Sequence, residues 1–336
     1  MIQRLCILSI VVAYFMLAGC HDKRDSDGET SSAILEKPPF SSITDSIRQF
    51  PQKAELYLRR AELLSQTNNH RLAFFDYKKS WTLEPLEQSG LMLSSNLSIL
   101  GMNKERLSLL EECIKKFPNN SDFSRLMGET YAELGQTGQA LELYQSMLNR
   151  DSTDFETWYE KGILMESLAD TPEAIHALRK AYALKPLSMY ALELAHLYAE
   201  SGNEESLKIC DEIIQLDNTR ELVDPFFIKG IYYANTGKYS SAIPQFDSCI
   251  RRDWKYTEAY IEKGIALFKQ SDYMEALATF KMASTVSNTN PDAYFWAGRC
   301  YEMLKKNEDA IVNYERALSL DKSFSEAREA LKKLRP

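Results

Sequence analysis

The sequence has little of what most enzyme chemistry needs. Histidine occurs four times in 336 residues, at 21, 70, 176 and 196, and no pair stands at HExxH or zinc-ligand spacing. A GxSxG elbow, a GxGxxG turn after a strand and a phosphate-binding loop are also missing. These gaps exclude the common hydrolase, dinucleotide and nucleotide-triphosphate sites. The reading is therefore a non-enzyme, with no catalytic residues, no metal and no cofactor.

Excess positive charge is missing too. The net charge is −8, and removing the +1 of Arg4 with residues 1–19 makes it −9. The basic pairs Lys115-Lys116, Arg251-Arg252 and Lys332-Lys333 are isolated near expected helix ends, where cations complement the macrodipole. Nucleic acid is thereby excluded as a partner. Six cysteines occur without CxxC or Cys/His metal spacing. Cys113, Cys210, Cys249 and Cys300 fall on expected buried faces, where cysteine packs as a small hydrophobe. A Cys210–Cys249 bond between successive repeats is left open.

One hydrophobic run is present, and it is short. Arg4 precedes a mostly apolar stretch from Leu5 to Leu17, which reads as a cleaved signal peptide over residues 1–19. Leu17-Ala18-Gly19-Cys20 resembles the lipobox of bacterial lipoproteins. That resemblance implies lipidation of Cys20, palmitate-type acyl chains, and stable anchoring in a membrane. His21, not an aspartate, follows Cys20, so the outer membrane is favoured; periplasmic face or cell surface stays open. Residues 20–41, rich in Asp, Ser and Lys, read as a tether spanning roughly 25 Å as a random coil.

Past the tether the chain repeats. Windows beginning at Ala54, Glu87, Ser121, Phe155, Ser188, Val223, Thr257 and Pro291 each place a small residue eighth: Ala61, Ser94, Gly128, Gly162, Ala195, Gly230, Gly264 and Gly298. Three places later comes a large apolar side chain, as in Leu64, Tyr131, Leu267 and Tyr301, which puts both on one helical face. A second beat sets Ala73, Ala140, Ala174, Ala242, Ala276 and Ala310 four residues before Tyr77, Tyr144, Leu178, Phe246, Phe280 and Tyr314. Turn signals such as Leu134-Gly135-Gln136-Thr137 and Asn235-Thr236-Gly237-Lys238 lie between the two helices.

This pattern resembles the tetratricopeptide repeat family over residues 54–324. The resemblance implies an all-α fold, an α-solenoid of about eight helical hairpins in a right-handed superhelix whose first helices line a concave groove. Residues 42–52, with Ile43, Ile47 and Phe50, read as a half-repeat cap helix, and residues 325–336 as a C-terminal cap helix. Three departures stand out: Arg106 at a small-residue place, a fifth repeat one residue short near Gly202 to Ser206, and Pro244 early in a second helix.

Function then rests on surface recognition. The middle repeats offer acidic and polar groove residues: Asp122, Glu129, Glu133, Glu156, Tyr159, Glu166, His196 and Glu200. The last three offer an apolar stripe of Phe227, Ile231, Ile261, Ile265, Phe268, Phe295 and Met303 with Arg299 among them. Either the stripe meets a partner or neighbouring first helices cover it as core. The leading expectation is a membrane-anchored scaffold or adaptor holding protein or peptide partners in its groove, for assembly, secretion or cell-wall remodelling. The alternative is a lipoprotein capturing a small molecule, a glycan or a peptide nutrient.

Overall fold

A computed structural model describes residues 33–217, 219 and 221–335; the signal segment and Cys20 lie outside the described residues. The described chain is helical and divides between Asp170 and Thr171 into two compact units. The first holds α1 (Ser41–Gln49), α2 (Ala54–Gln66), α3 (His70–Leu83), α4 (Glu87–Ile99), α5 (Asn103–Lys116), α6 (Ser121–Glu133), α7 (Thr137–Arg150) and α8 (Phe155–Ser167). The second holds α9 (Thr171–Leu184), α10 (Ser188–Glu200), α11 (Glu205–Leu216), α12 (Asp224–Asn235), α13 (Tyr239–Arg252), α14 (Thr257–Lys269), α15 (Tyr273–Val286), α16 (Pro291–Met303), α17 (Asn307–Leu320) and α18 (Ser325–Leu334). Among the described residues no helix is long and apolar enough to cross a membrane.

First helices begin where the sequence windows begin, α12 one residue later than its window. The small residue at the eighth place has a steric cause. A Cβ on Gly128 would stand 2.3 Å from Tyr144 Cε1, and one on Gly230 2.4 Å from Phe246 Cε1. On Gly264 and Gly298 it would stand 2.6 Å from the rings of Phe280 and Tyr314. At these four places the second helix thus lays a fully buried aromatic ring directly on the backbone of the first and leaves no room for a Cβ. Burying such a ring contributes roughly 2–3 kcal/mol. Where the second helix brings the smaller Leu110 or Cys210, the first helix carries Ser94 or Ala195 instead.

Each first helix ends on a left-handed residue. Gly101, Gly135, Gly202 and Gly237 take φ from 66° to 73°, and Asn68, Ala169, Ser271 and Lys305 adopt the same region at φ 59–68°. The amide after that residue donates back five positions, as Gln136 N to Tyr131 O at 2.8 Å and Lys306 N to Tyr301 O at 2.9 Å. This Schellman geometry satisfies the free carbonyls and reverses the chain.

The departures now have structural counterparts. In the fifth repeat the shortened turn brings Ser206 to the small-residue place and Cys210 to the ring place, both fully buried; α11 has 12 residues where α13 has 14. Helix α13 continues through Pro244. Cys113, Cys210, Cys249 and Cys300 are buried and free, and burial pushes each thiol up to about 12.

The N-terminal cap differs from the sequence expectation. Ile47 and Thr44 are buried, but Phe50 is 59% exposed, because α1 stops before it. Phe40 fills the role instead, and Ile34 and Leu35 pack against the same core. Within the described part of the expected tether, Ile34, Leu35 and Phe40 are therefore packed, while residues 36–39 are exposed. A polar chain locks this cap: Thr44 Oγ1 donates to Leu35 O at 3.0 Å and accepts from Arg60 Nη1 at 3.1 Å. Arg60 in turn grips Asp76 with two bonds of 2.6 and 2.8 Å. At the other end Ala327 of α18 is buried, and the Phe324 ring lies 4.9 Å from that of Phe295.

Candidate functional site

The first helices α4, α6 and α8 of the first unit pack in succession. On α6 the residues Asp122, Arg125, Leu126, Glu129 and Glu133 recur every three or four positions and share one face. Together with Leu91 of α4 and Glu160 of α8, Asp122, Arg125, Leu126 and Glu129 line a cavity of about 250 Å³.

Two arginines organise this face. Arg106 reaches from α5, nearly fully buried at 2% exposure. Its Nη2 donates to Glu129 at 2.8 Å, its Nη1 to Glu133 at 3.4 Å, and its Nε to Ser94 at 3.2 Å. The break in the repeat pattern at Arg106 is thus an ion pair aimed at the next repeat. Arg125 ties α6 to α8: it pairs with Asp122, with Asp154 at 3.6 Å and with Glu156 at 2.5 Å. A buried guanidinium with several acceptors is the arrangement that compensates its lost hydration.

Glu160 is treated differently. Burial, then the negative charge of Glu129, raises its carboxyl from 4.5 to about 7, against the opposing pull of Arg125. It makes no hydrogen bond or ion pair among the described residues.

The expected acidic stretch is therefore present but partly neutralised. Glu129 is half-buried on Arg106 and Glu133 is exposed beside it. Tyr159 and Glu166 are half-buried on α8, as Asp122 is on α6, while Glu156 is exposed. His196 and Glu200, half-buried on α10, belong to the second unit. Glu160 and Arg125 are not among the residues the sequence points to, because their charge partners lie across repeats. The signal for Arg106 was its misfit to the repeat.

The apolar stripe resolves toward core. Ile231, Ile261 and Phe295 are buried, and Ile265 packs half-buried against the same cluster as Phe295. Phe227 is half-buried, its ring 5.1 Å from Tyr256 and 5.8 Å from Phe246. Phe268 meets Tyr273 at 5.1 Å and Trp296 at 5.5 Å, and the half-buried Arg299 lies over it at 6.0 Å. Met303 remains 44% exposed at the end of α16. Adjacent helices thus cover most of the stripe, because ring-on-ring contacts between neighbouring repeats use these positions. His70, which the sequence suggests is solvated, is half-buried, and its carbonyl accepts from Asn96 Nδ2 at 3.2 Å.

The tetratricopeptide repeat family matches residues 229–286 and 291–324, which span α12 to α17. The fold is an all-α tetratricopeptide-repeat solenoid. Tetratricopeptide arrays act as protein-interaction scaffolds. The chain is similar to a DnaJ homolog subfamily C member 7 homolog of Dictyostelium discoideum, at 22% identity over 330 residues, 91% of this chain and 57% of the relative. It thus spans little more than half of that relative's length. A tetratricopeptide repeat protein from Parabacteroides merdae ATCC 43184 superposes with TM-score 0.61 at 17% identity, covering 74% of this chain and 98% of that one. PilW, a widely conserved type IV pilus biogenesis factor, superposes with TM-score 0.55 at 17% identity, covering 64% and 98%. At these identities the structural likenesses speak to the fold.

Proposed function

We propose that the chain is a lipid-tethered, non-enzymatic adaptor of the bacterial envelope, favouring the outer membrane, that holds protein partners on the first-helix face of its repeats. The observation that carries this reading is the face shared by α4, α6 and α8. There ordered charge and an open cavity stand, where the rest of the array's recurring beat is spent on packing one helix against the next. The Leu17-Ala18-Gly19-Cys20 segment supports the tether, with the Cys20 sulfur as the lipid site. Assembly, secretion or cell-wall remodelling would each use such a holder.

The test is affinity capture from detergent-solubilised envelopes followed by mass spectrometry. A recurrent protein set retained by the native chain and lost with Glu156→Lys and Glu133→Lys supports the adaptor; retention of only sugars or free peptides refutes it. For the tether, Cys20→Ala is expected to move the chain into the soluble fraction. Persistence in the membrane fraction would overturn the anchor.

A further inference from the structure

Around the cavity of the first unit, charge is left unanswered. Arg106 and Arg125 face six carboxyl groups: Asp122, Glu129, Glu133, Asp154, Glu156 and Glu160. Both guanidinium groups are already engaged, the first by Glu129, Glu133 and Ser94, the second by Asp122, Asp154, Glu156 and Ser121. Glu160 receives neither, although it lines the open space. The groups that act on it are Arg125 and Glu129 of α6 and Glu156 of its own helix, and Tyr144 of α7 senses its charge. A second cation brought into the cavity would relieve the repulsion between Glu160 and Glu129.

The size and walls narrow what that cation is. A volume of about 250 Å³ falls below the ~300–1,000 Å³ of sites that enclose drug-sized ligands, so the scale is one side chain. Leu91 and Leu126 give the cavity apolar wall, which suits a methylene stem better than a hydrated ion. Among the described residues no three His, Cys, Asp or Glu side chains are placed to hold a metal. A flexible stem ending in a compact charge is lysine; the flat fork of arginine would compete with Arg125 for the same carboxylates.

We propose that this cavity receives one lysine side chain of a protein partner, its ammonium between Glu160 and Glu129 and its stem against Leu91 and Leu126. The assignment rests on the adaptor reading and gives its partner a chemical feature. Desolvated on entry, such an ammonium–carboxylate contact is worth more than a surface ion pair, and it returns Glu160 to the ionised form.

The probe is n-butylammonium chloride, which carries a lysine stem and charge, added to the full chain labelled with carboxyl ¹³C glutamate. At pH 7 the Glu160 resonance should move saturably toward the ionised position, while 1-butanol leaves it unmoved and magnesium chloride at equal ionic strength does not reproduce it. Glu160→Gln, read at the Glu129 resonance, should weaken binding about tenfold or more, and Glu142→Gln, exposed on the second helix α7 and outside the cavity, should leave it unchanged. No saturable shift, an equal response to butanol or magnesium, or undiminished binding by Glu160→Gln overturns the lysine site. If butylammonium fails while envelope capture still returns a recurrent protein, the cavity assignment falls and the adaptor stands. Saturable binding with no protein captured overturns the adaptor and, with it, the assignment of the cavity to a partner's lysine.

Discussion

Replacing Glu160 by Gln should make the protein more stable, and by an amount that depends on pH. The folded carboxyl titrates near 7 where an unperturbed glutamate titrates at 4.5, because ionising it means placing a charge in a half-buried site beside Glu129. The sign follows from linkage. Below pH 4.5 the group is protonated in both states and costs nothing. Between 4.5 and about 7 the unfolded chain ionises while the folded one holds its proton, so stability falls as pH rises. Each decade is worth about 1.4 kcal/mol, so the interval corresponds to roughly 3 kcal/mol in full by pH 8. Gln keeps the shape and carries no charge. Urea unfolding followed by far-ultraviolet circular dichroism should give similar midpoints for both proteins at pH 4.5. At pH 8 the variant's midpoint should be higher by on the order of 1 M, taking a slope of ~2 kcal/mol/M. A midpoint difference that stays constant from pH 4.5 to 8 would show that Glu160 is not the perturbed group.

Other consequences can be measured in the same way. Gly264→Ala sets a Cβ 2.6 Å from the Phe280 ring, so overpacking of ~1–3 kcal/mol should outweigh the ~1 kcal/mol gain in helix propensity. The midpoint should fall, and adding Phe280→Leu should recover part of it by imitating the Ser94–Leu110 pairing. Lys305 sits at φ 61°, and Lys305→Gly should raise the midpoint by roughly 0.5–1 kcal/mol in stability by removing left-handed strain; a lower midpoint contradicts the turn geometry. Asp76→Ala leaves Arg60 buried without its carboxylate and should cost ~3–5 kcal/mol, whereas Arg60→Met with Asp76→Leu should lie much closer to the native protein. Equal losses in the single and double variants would contradict a buried pair.

Much of the fold was legible because the repeat imposes a steric rule that shows in one sequence. Gly128, Gly230, Gly264 and Gly298 recur because a ring lies on each of them, so marking the small residue marks the helix pair. The fifth repeat was harder to read because Cys210 replaces the ring and a one-residue shortening moves Ser206. The cap was half legible: Ile47 follows helical spacing, but the packing of Phe40 depends on a chain reversal that no periodicity announces. The candidate site was less legible still. Periodicity marks a side chain as facing inward without saying whether the neighbouring repeat covers it, so the sequence leaves Ile231, Ile261 and Phe295 between groove and core, whereas the structure buries them. Charge partners are set by contacts across repeats, as with Arg106 and Glu129, 23 residues apart, and local spacing does not encode them. One consequence is practical: Ile265→Asp and Phe268→Asp should disturb the packing of the second unit.

The central claim is that a protein docks on the first-helix face of the first unit. Site-specific photo-crosslinking in intact cells tests it directly, with the crosslinker at Glu133 or Glu156 on that face and, for comparison, at the exposed Phe75 or Val312 on second helices. The account predicts a discrete protein adduct from the first pair of positions and none from the second. Adducts confined to Phe75 and Val312, or no adduct from any of the four, would contradict it.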